Sequence, residues 1–176
     1  MVFAGSTRLI AVGRHDKHRY NCARVQELPL ACPFFMPTHK SEQGSWLHPS
    51  RLPLGAGWEG HCTAAEHFGE RPPDEVLQNG CNLGYAAGCS WLPVDRSCDS
   101  VRFAVKRECE NRIFLTFACE TDHRPKDYGE LEFDRSQRQW PLAHPDSRIQ
   151  RQADCFLNSH LDKASQSSKE PGGLDE

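Results

Sequence analysis

Val101-Arg102-Phe103-Ala104-Val105-Lys106 and Ile113-Phe114-Leu115-Thr116-Phe117-Ala118-Cys119-Glu120 are two alternating runs flanking a polar turn at 110–112. Successive side chains of a strand point to opposite faces, so alternation of this kind predicts a β-hairpin with one apolar face. Ile113, Leu115, Phe117 and Cys119 share the inward face, which makes Cys119 a core residue. A third strand is expected at 128–133, with Leu131 and Phe133 inward and Glu130 and Glu132 outward. After a turn at 134–137, residues 138–142 can add a fourth, edge strand that Pro141 would end.

Downstream the period changes from two to 3.6. Ile149, Ala153, Phe156, Leu157, His160 and Leu161 fall on one face of a helix over 145–163, with Pro145 at its first position. This face should cover the apolar side of the meander. Cys155 is expected on the opposite face with Arg148 and Arg151. Together with Arg135 and Arg138 these arginines read as a solvated basic surface, which could dock an acidic partner only if it is functional.

Upstream of the hairpin, residues 28–100 hold most of the prolines and glycines and three of the four tryptophans. Strands cannot run far through Leu28-Pro29, Cys32-Pro33, Met36-Pro37, His48-Pro49 and Leu52-Pro53. One short helix is expected: Pro72-Pro73-Asp74 starts it, 75–79 fill it, and Gly80 takes the left-handed position after its end. Cys81 would then lie just past the helix. The fold class is therefore α+β: a loop-rich, cysteine-bearing N-terminal half packed on a three- or four-stranded antiparallel β-meander covered by one C-terminal α-helix. Residues 1–27 read as a disordered basic leader, 28–163 as a single metal-binding domain, and 164–176 as a disordered tail.

Composition explains why a metal is invoked. The chain has 176 residues, 38% of them hydrophobic, and a mean hydropathy of −0.67. Such a loop-rich half lacks the apolar mass to hold itself together and needs a cross-link. Nine cysteines are present, an odd number that cannot all pair. No apolar run resembles a secretory signal or a membrane span, so the expected compartment is the cytoplasm, where clustered thiols bind metal more often than they form disulfides.

Four thiols form the candidate site: Cys32, Cys62, Cys81 and Cys89, spaced C-x29-C-x18-C-x7-C. Structural zinc usually shows cysteine pairs two to four residues apart, and none occurs here. Iron–sulfur clusters accept more varied spacings. Proline follows Cys32, and Gly80, Gly84 and Gly88 surround Cys81 and Cys89, where small residues let backbone N–H groups approach sulfur. An iron–sulfur cluster, in the 4Fe-4S form, is the first expectation, used for electron transfer, redox sensing or structural support. Zinc in a protein-interaction module is the alternative, with Cys98, or His48, His61 or His67, able to replace a ligand. A thiol-dependent enzyme built on Cys62 and His61 is the second alternative. Glu120, Asp122, His123 and Asp127 form a polar loop that reads as a solvated turn before it reads as an acid–base site.

The net charge of −3 argues against a nucleic-acid partner, no membrane is implied, and a redox partner protein is the expected kind of contact. The chain carries no phosphate loop, dinucleotide fingerprint, HExxH or GxSxG.

Overall fold

A computed structural model describes residues 30–42, 52–83 and 88–167. The expected leader at 1–27, His48, and the last residues of the expected tail lie outside these segments.

The hairpin and the third strand form an antiparallel sheet in the order β3 (Ser100–Glu108), β4 (Arg112–Thr121), β5 (Arg124–Asp134). Phe103 faces Phe117, which faces Gly129, and Leu115 lies between Val105 and Leu131. A Cβ at position 129 would meet the Phe117 ring at 2.7 Å, so glycine there lets the ring lie across β5. Ile113, Leu115, Phe117 and Cys119 are buried, as the alternation requires. Phe114, on the other face, is buried as well, under the Arg107 guanidinium 3.7 Å from its ring centroid.

The expected fourth strand is absent among the described residues. Residues 138–142 contribute only an isolated bridge, Asp134 with Gln139. Arg138 has φ of 54°, outside strand geometry, and the chain then turns so that Trp140 stacks edge-on against Phe133.

The loop-rich half does contain strands, though short ones. Phe35–Lys40 (β1) pairs antiparallel with Trp58–Cys62 (β2), and the register slips between Pro37 and His39. Proline cannot donate to a ladder, and the irregularity falls where its missing N–H would be needed. Gly60 is obligatory in β2, because a Cβ there would sit 2.3 Å from the Met36 carbonyl oxygen.

The short helix α1 (Asp74–Val76) begins where expected, after Pro72-Pro73. It does not stop at Gly80. It widens into a π-helical turn, Leu77–Asn82, so Gly80 is internal and Cys81 lies within the turn.

The C-terminal helix α2 runs Ser147–Ser167, starting two residues later and ending four later than expected. Asp146 takes the N-cap, its Oδ1 accepting from the Arg148 N–H at 2.9 Å, which leaves Pro145 outside. Cys155 is fully buried, not exposed. The helix is held on two sides, against the sheet and against β1, so a single-face reading is too narrow. Arg151 donates to the Pro37 carbonyl at 2.8 Å and to that of Thr38, and Arg148 lies over the Phe34 ring. These arginines fasten the two halves together, and Arg135 pairs with Glu108, so the expected basic surface is largely spent inside the molecule.

Asp122 and His123 join β4 to β5 in a two-residue turn with φ of 50° and 60°. Both central residues are left-handed, a conformation that favours Asn-Gly. Replacing them (Asp122→Asn with His123→Gly) should raise stability by about 1 kcal/mol, or about 3 °C in Tm. An unchanged or lower melting temperature would show that the turn is not strained.

Candidate functional site

Cys32 sits in a turn tied to both neighbours of the N-terminal half. Ala31 makes a two-way bridge with Val101 of β3, with N···O distances of 2.8 and 2.9 Å. From α2, the buried Gln152 Nε2 donates to the carbonyls of Cys32 at 2.8 Å and Phe35 at 2.7 Å. The turn closes on itself through Phe35 N–H to the Cys32 carbonyl at 3.1 Å.

Cys62 ends β2, opposite Phe35. Its backbone is held by Glu70 and Gly69 across the 3-10 turn Ala65–His67, and Thr63 donates to the Phe34 carbonyl from both its N–H and its hydroxyl. The Ala64 N–H points at Cys62 Sγ, 3.4 Å away. Cys81 is fixed by its neighbour. The Asn82 side chain, 2% exposed, accepts from Trp58 N–H at 2.9 Å and donates to the carbonyls of Trp58 and Leu77 at 3.0 Å each. This amide welds the π-turn to β2.

Cys32, Cys62, Cys81 and Cys89 line one pocket with Phe34, Phe35, Pro72, Val76, Trp91 and Leu92. Cys32, Cys62 and Cys81 are buried and Cys89 is half-buried at the outer wall. The four expected residues are thus brought together from a turn, a strand end, a π-turn and a loop. The remaining walls are apolar or aromatic, and the Trp91 ring is stacked on His67 at 4.0 Å. The free space is narrow, about 10 Å³. Among the described residues, no group of three or more His, Cys, Asp or Glu side chains is arranged to hold a metal ion.

Burial is the chief influence on these thiols. It pushes Cys32 up to about 12, against N–H groups of Phe34 and Phe35 that favour its thiolate, while Cys62 and Cys89 raise it further by like-charge repulsion. Cys81 is raised in the same way, by burial first and then by Cys32, Cys89 and Cys62. Burial also raises Cys62, offset by the N–H groups of Ala64 and Thr63. The three sulfurs are close enough to sense one another, and that of Cys62 accepts from the Ala64 N–H.

The substitutes considered for this site lie elsewhere. Cys98 lies just before β3, where its thiol donates to the Ser100 carbonyl at 3.0 Å. His61 precedes Cys62 on β2 and pairs with Met36, so the two side chains project to opposite faces and cannot act as base and nucleophile. His67 bonds Glu70 at 3.0 Å. The polar loop disperses: Glu120 is buried and ion-paired with Arg102, Asp122 and His123 make the turn, and Asp127 lies across from Cys119. Asn82 and Gln152 are the residues that sequence reasoning missed. A polar residue beside a candidate ligand, and another on the apolar stripe of the helix, were the available signals.

No protein-family model matches the chain, and no curated protein or solved structure matches it.

Asn82→Ala would leave the buried Trp58 N–H without its acceptor and take the amide donor from the Trp58 and Leu77 carbonyls, at a cost of about 3 kcal/mol measurable by denaturant unfolding. A loss under about 1 kcal/mol would mean the amide is not the weld described. The raised thiols add a pH dependence in metal-free protein. The unfolded chain ionises first, so their contribution is complete below the ordinary thiol range and is lost as pH rises towards about 12. The denaturant midpoint of metal-free protein should therefore fall between about pH 7.5 and pH 10. A flat profile would show that these sulfurs are not buried.

Proposed function

We propose that the chain is a small iron–sulfur protein whose cluster, in the 4Fe-4S form, is held by Cys32, Cys62, Cys81 and Cys89. The observation that carries this reading is the shared pocket, to which elements spread over some sixty residues each deliver one thiol. The chemistry of the donors fits. All four are sulfur, the flanking walls are apolar, and the Ala64 N–H points at the Cys62 sulfur. Such donors stabilise thiolate charge and set cluster potential.

The spacing of the cysteines along the chain, with no pair two to four residues apart, favours a cluster over zinc. A tetrahedral zinc with bonds of about 2.3 Å needs its sulfurs about 3.8 Å apart. The described side chains have no such single-ion arrangement. A cubane spreads its four thiolates over four irons and so accepts a wider ring. The narrow free volume favours the smaller guest, and zinc in a protein-interaction module is therefore the second reading. Entry of a cluster would move the half-buried Cys89 outward, the one wall of the four that is not buried.

When bound, a cluster supplies one-electron transfer and joins the loops that present its ligands. The residues of the chain do the rest. Phe34, Phe35, Trp91 and Leu92 exclude water, Gln152 and Asn82 position Cys32 and Cys81, and Cys89 stands nearest to solvent. A redox partner would approach on the Cys89 side. The proposed compartment is the cytoplasm; among the described residues no helix is long and apolar enough to cross a membrane.

Anaerobically purified protein should be brown and contain iron and acid-labile sulfide in equal amounts. Colourless protein with stoichiometric zinc would select the second reading, and folded metal-free protein would reject both. Cys81→Ala should abolish metal binding and reduce solubility, whereas Cys109→Ala, at an exposed position in the β3–β4 turn, should preserve the metal in full. Full occupancy in Cys81→Ala would remove that residue from the ligand set.

A further inference from the structure

A groove of about 730 Å³ lies between α2 and the turn at 134–139 that follows β5, and it shares no residue with the cysteine pocket. A volume of this order suits a small organic ligand. On the helix the groove runs from Arg151 to Ser165, about 21 Å at 1.5 Å per residue. The turn opposite is firmly built. Asp134 and Gln139 bridge each other at 2.9 and 3.2 Å, and Asp134 Oδ1 accepts from the N–H groups of Ser136 at 2.8 Å and Gln137 at 3.0 Å. The Arg135 N–H donates to the Asn111 carbonyl at 2.8 Å. These bonds hold Arg138 at φ of 54°, a left-handed conformation that costs a residue with a side chain.

The groove holds more positive charge than its acids neutralise. Arg135, Arg138 and Arg151 line it together with one carboxylate, Asp154. Asp154 Oδ1 already accepts from the Trp140 indole N–H at 2.7 Å and from Gln150 at 3.1 Å. Glu108, which is not part of the groove, pairs with Arg135, yet Arg135 Nε stays buried with no acceptor. Arg151 donates to the neutral carbonyls of Pro37 and Thr38 and keeps its charge. Arg138 is exposed and makes no hydrogen bond or ion pair among the described residues. Three guanidinium groups against two carboxylates leave one positive charge over.

We propose that this groove binds a small aromatic monocarboxylate. The head lies on the unpaired Arg138 guanidinium, whose planar fork matches the two oxygens of a carboxylate. The ring packs against Trp140 and Phe133, which meet edge-on with centroids 5.1 Å apart, and Leu157 and Leu161 close the helix side. The indole N–H is committed to Asp154, so Trp140 offers the ligand its ring and not a hydrogen bond. One surplus positive charge suits a head of a single negative charge. A phosphate dianion would also feel the repulsion of Asp154 and Glu108.

The test titrates the full chain with 2-naphthoate and follows the indole N–H signals in proton–nitrogen correlation spectra, with Trp140→Phe identifying the Trp140 signal. That signal should move saturably. 2-Naphthylmethanol, which keeps the rings and lacks the charge, should bind about tenfold more weakly. Arg138→Asn should weaken 2-naphthoate by a similar factor, since asparagine tolerates the left-handed backbone and removes only the guanidinium. Arg112→Gln, at an ion pair with Glu132 outside the groove, should change the affinity less than about twofold. No saturable movement of the Trp140 signal up to about 10 mM ligand would overturn the proposal. So would equal binding of the uncharged alcohol, or undiminished binding of 2-naphthoate to Arg138→Asn. Tighter binding of 2-naphthyl phosphate would overturn the single-charge head.

Discussion

One buried amide couples the two halves of this protein. Gln152 is fully buried on α2, and its Nε2 donates to two carbonyls of the turn that carries Cys32. A buried polar group is costly unless paired, and a paired one fixes geometry more sharply than an apolar contact of equal area. Apolar packing against β1 would permit the turn to slide; two directed bonds to its first and last carbonyls, those of Cys32 and Phe35, do not. The Ala31–Val101 bridge fixes the same turn from the sheet side. Cys32 is thus positioned by the regular half of the molecule, while the other three thiols belong to the irregular half.

The irregular half uses the same device again. Asn82 joins the π-turn to β2, so that Cys81 is referred to Cys62 through one side chain. The extra residue of the π-turn matters here. An ordinary α-turn would place position 82 differently relative to Trp58, and the amide would miss the strand. The Ala64 N–H is turned onto the Cys62 sulfur, although sulfur is a weak acceptor when neutral. Donors spent in this way have a physical rationale if the sulfurs carry charge. Burial that raises the thiols and donors that favour the thiolates act against each other, and the proposed cluster would relieve the conflict by compensating the charge.

The sequence made some of this legible, for identifiable reasons. The meander could be read because period-two alternation at Val101, Phe103 and Val105 and at Ile113, Leu115, Phe117 and Cys119 has one structural solution when one face is buried. The convergence of Cys32, Cys62, Cys81 and Cys89 on one pocket was legible from shortage: apolar residues are too sparse in the loop half, and those thiols are embedded in it. Cys155 was misplaced because a helix gripped on two sides buries more than its most apolar stripe. The end of α1 was misplaced because glycine after a short helical run normally signals a left-handed cap, and here tertiary contacts through Asn82 carry the chain onward as a π-turn. The β1–β2 pair was hidden by prolines that the bulge at Pro37 accommodates.

X-ray absorption at the iron edge of the anaerobically purified protein tests the central claim most directly. The account predicts a first shell of sulfur alone, four atoms per iron, with iron neighbours in the second shell. Nitrogen or oxygen in the first shell, or iron without iron neighbours, would contradict four cysteines holding a cluster.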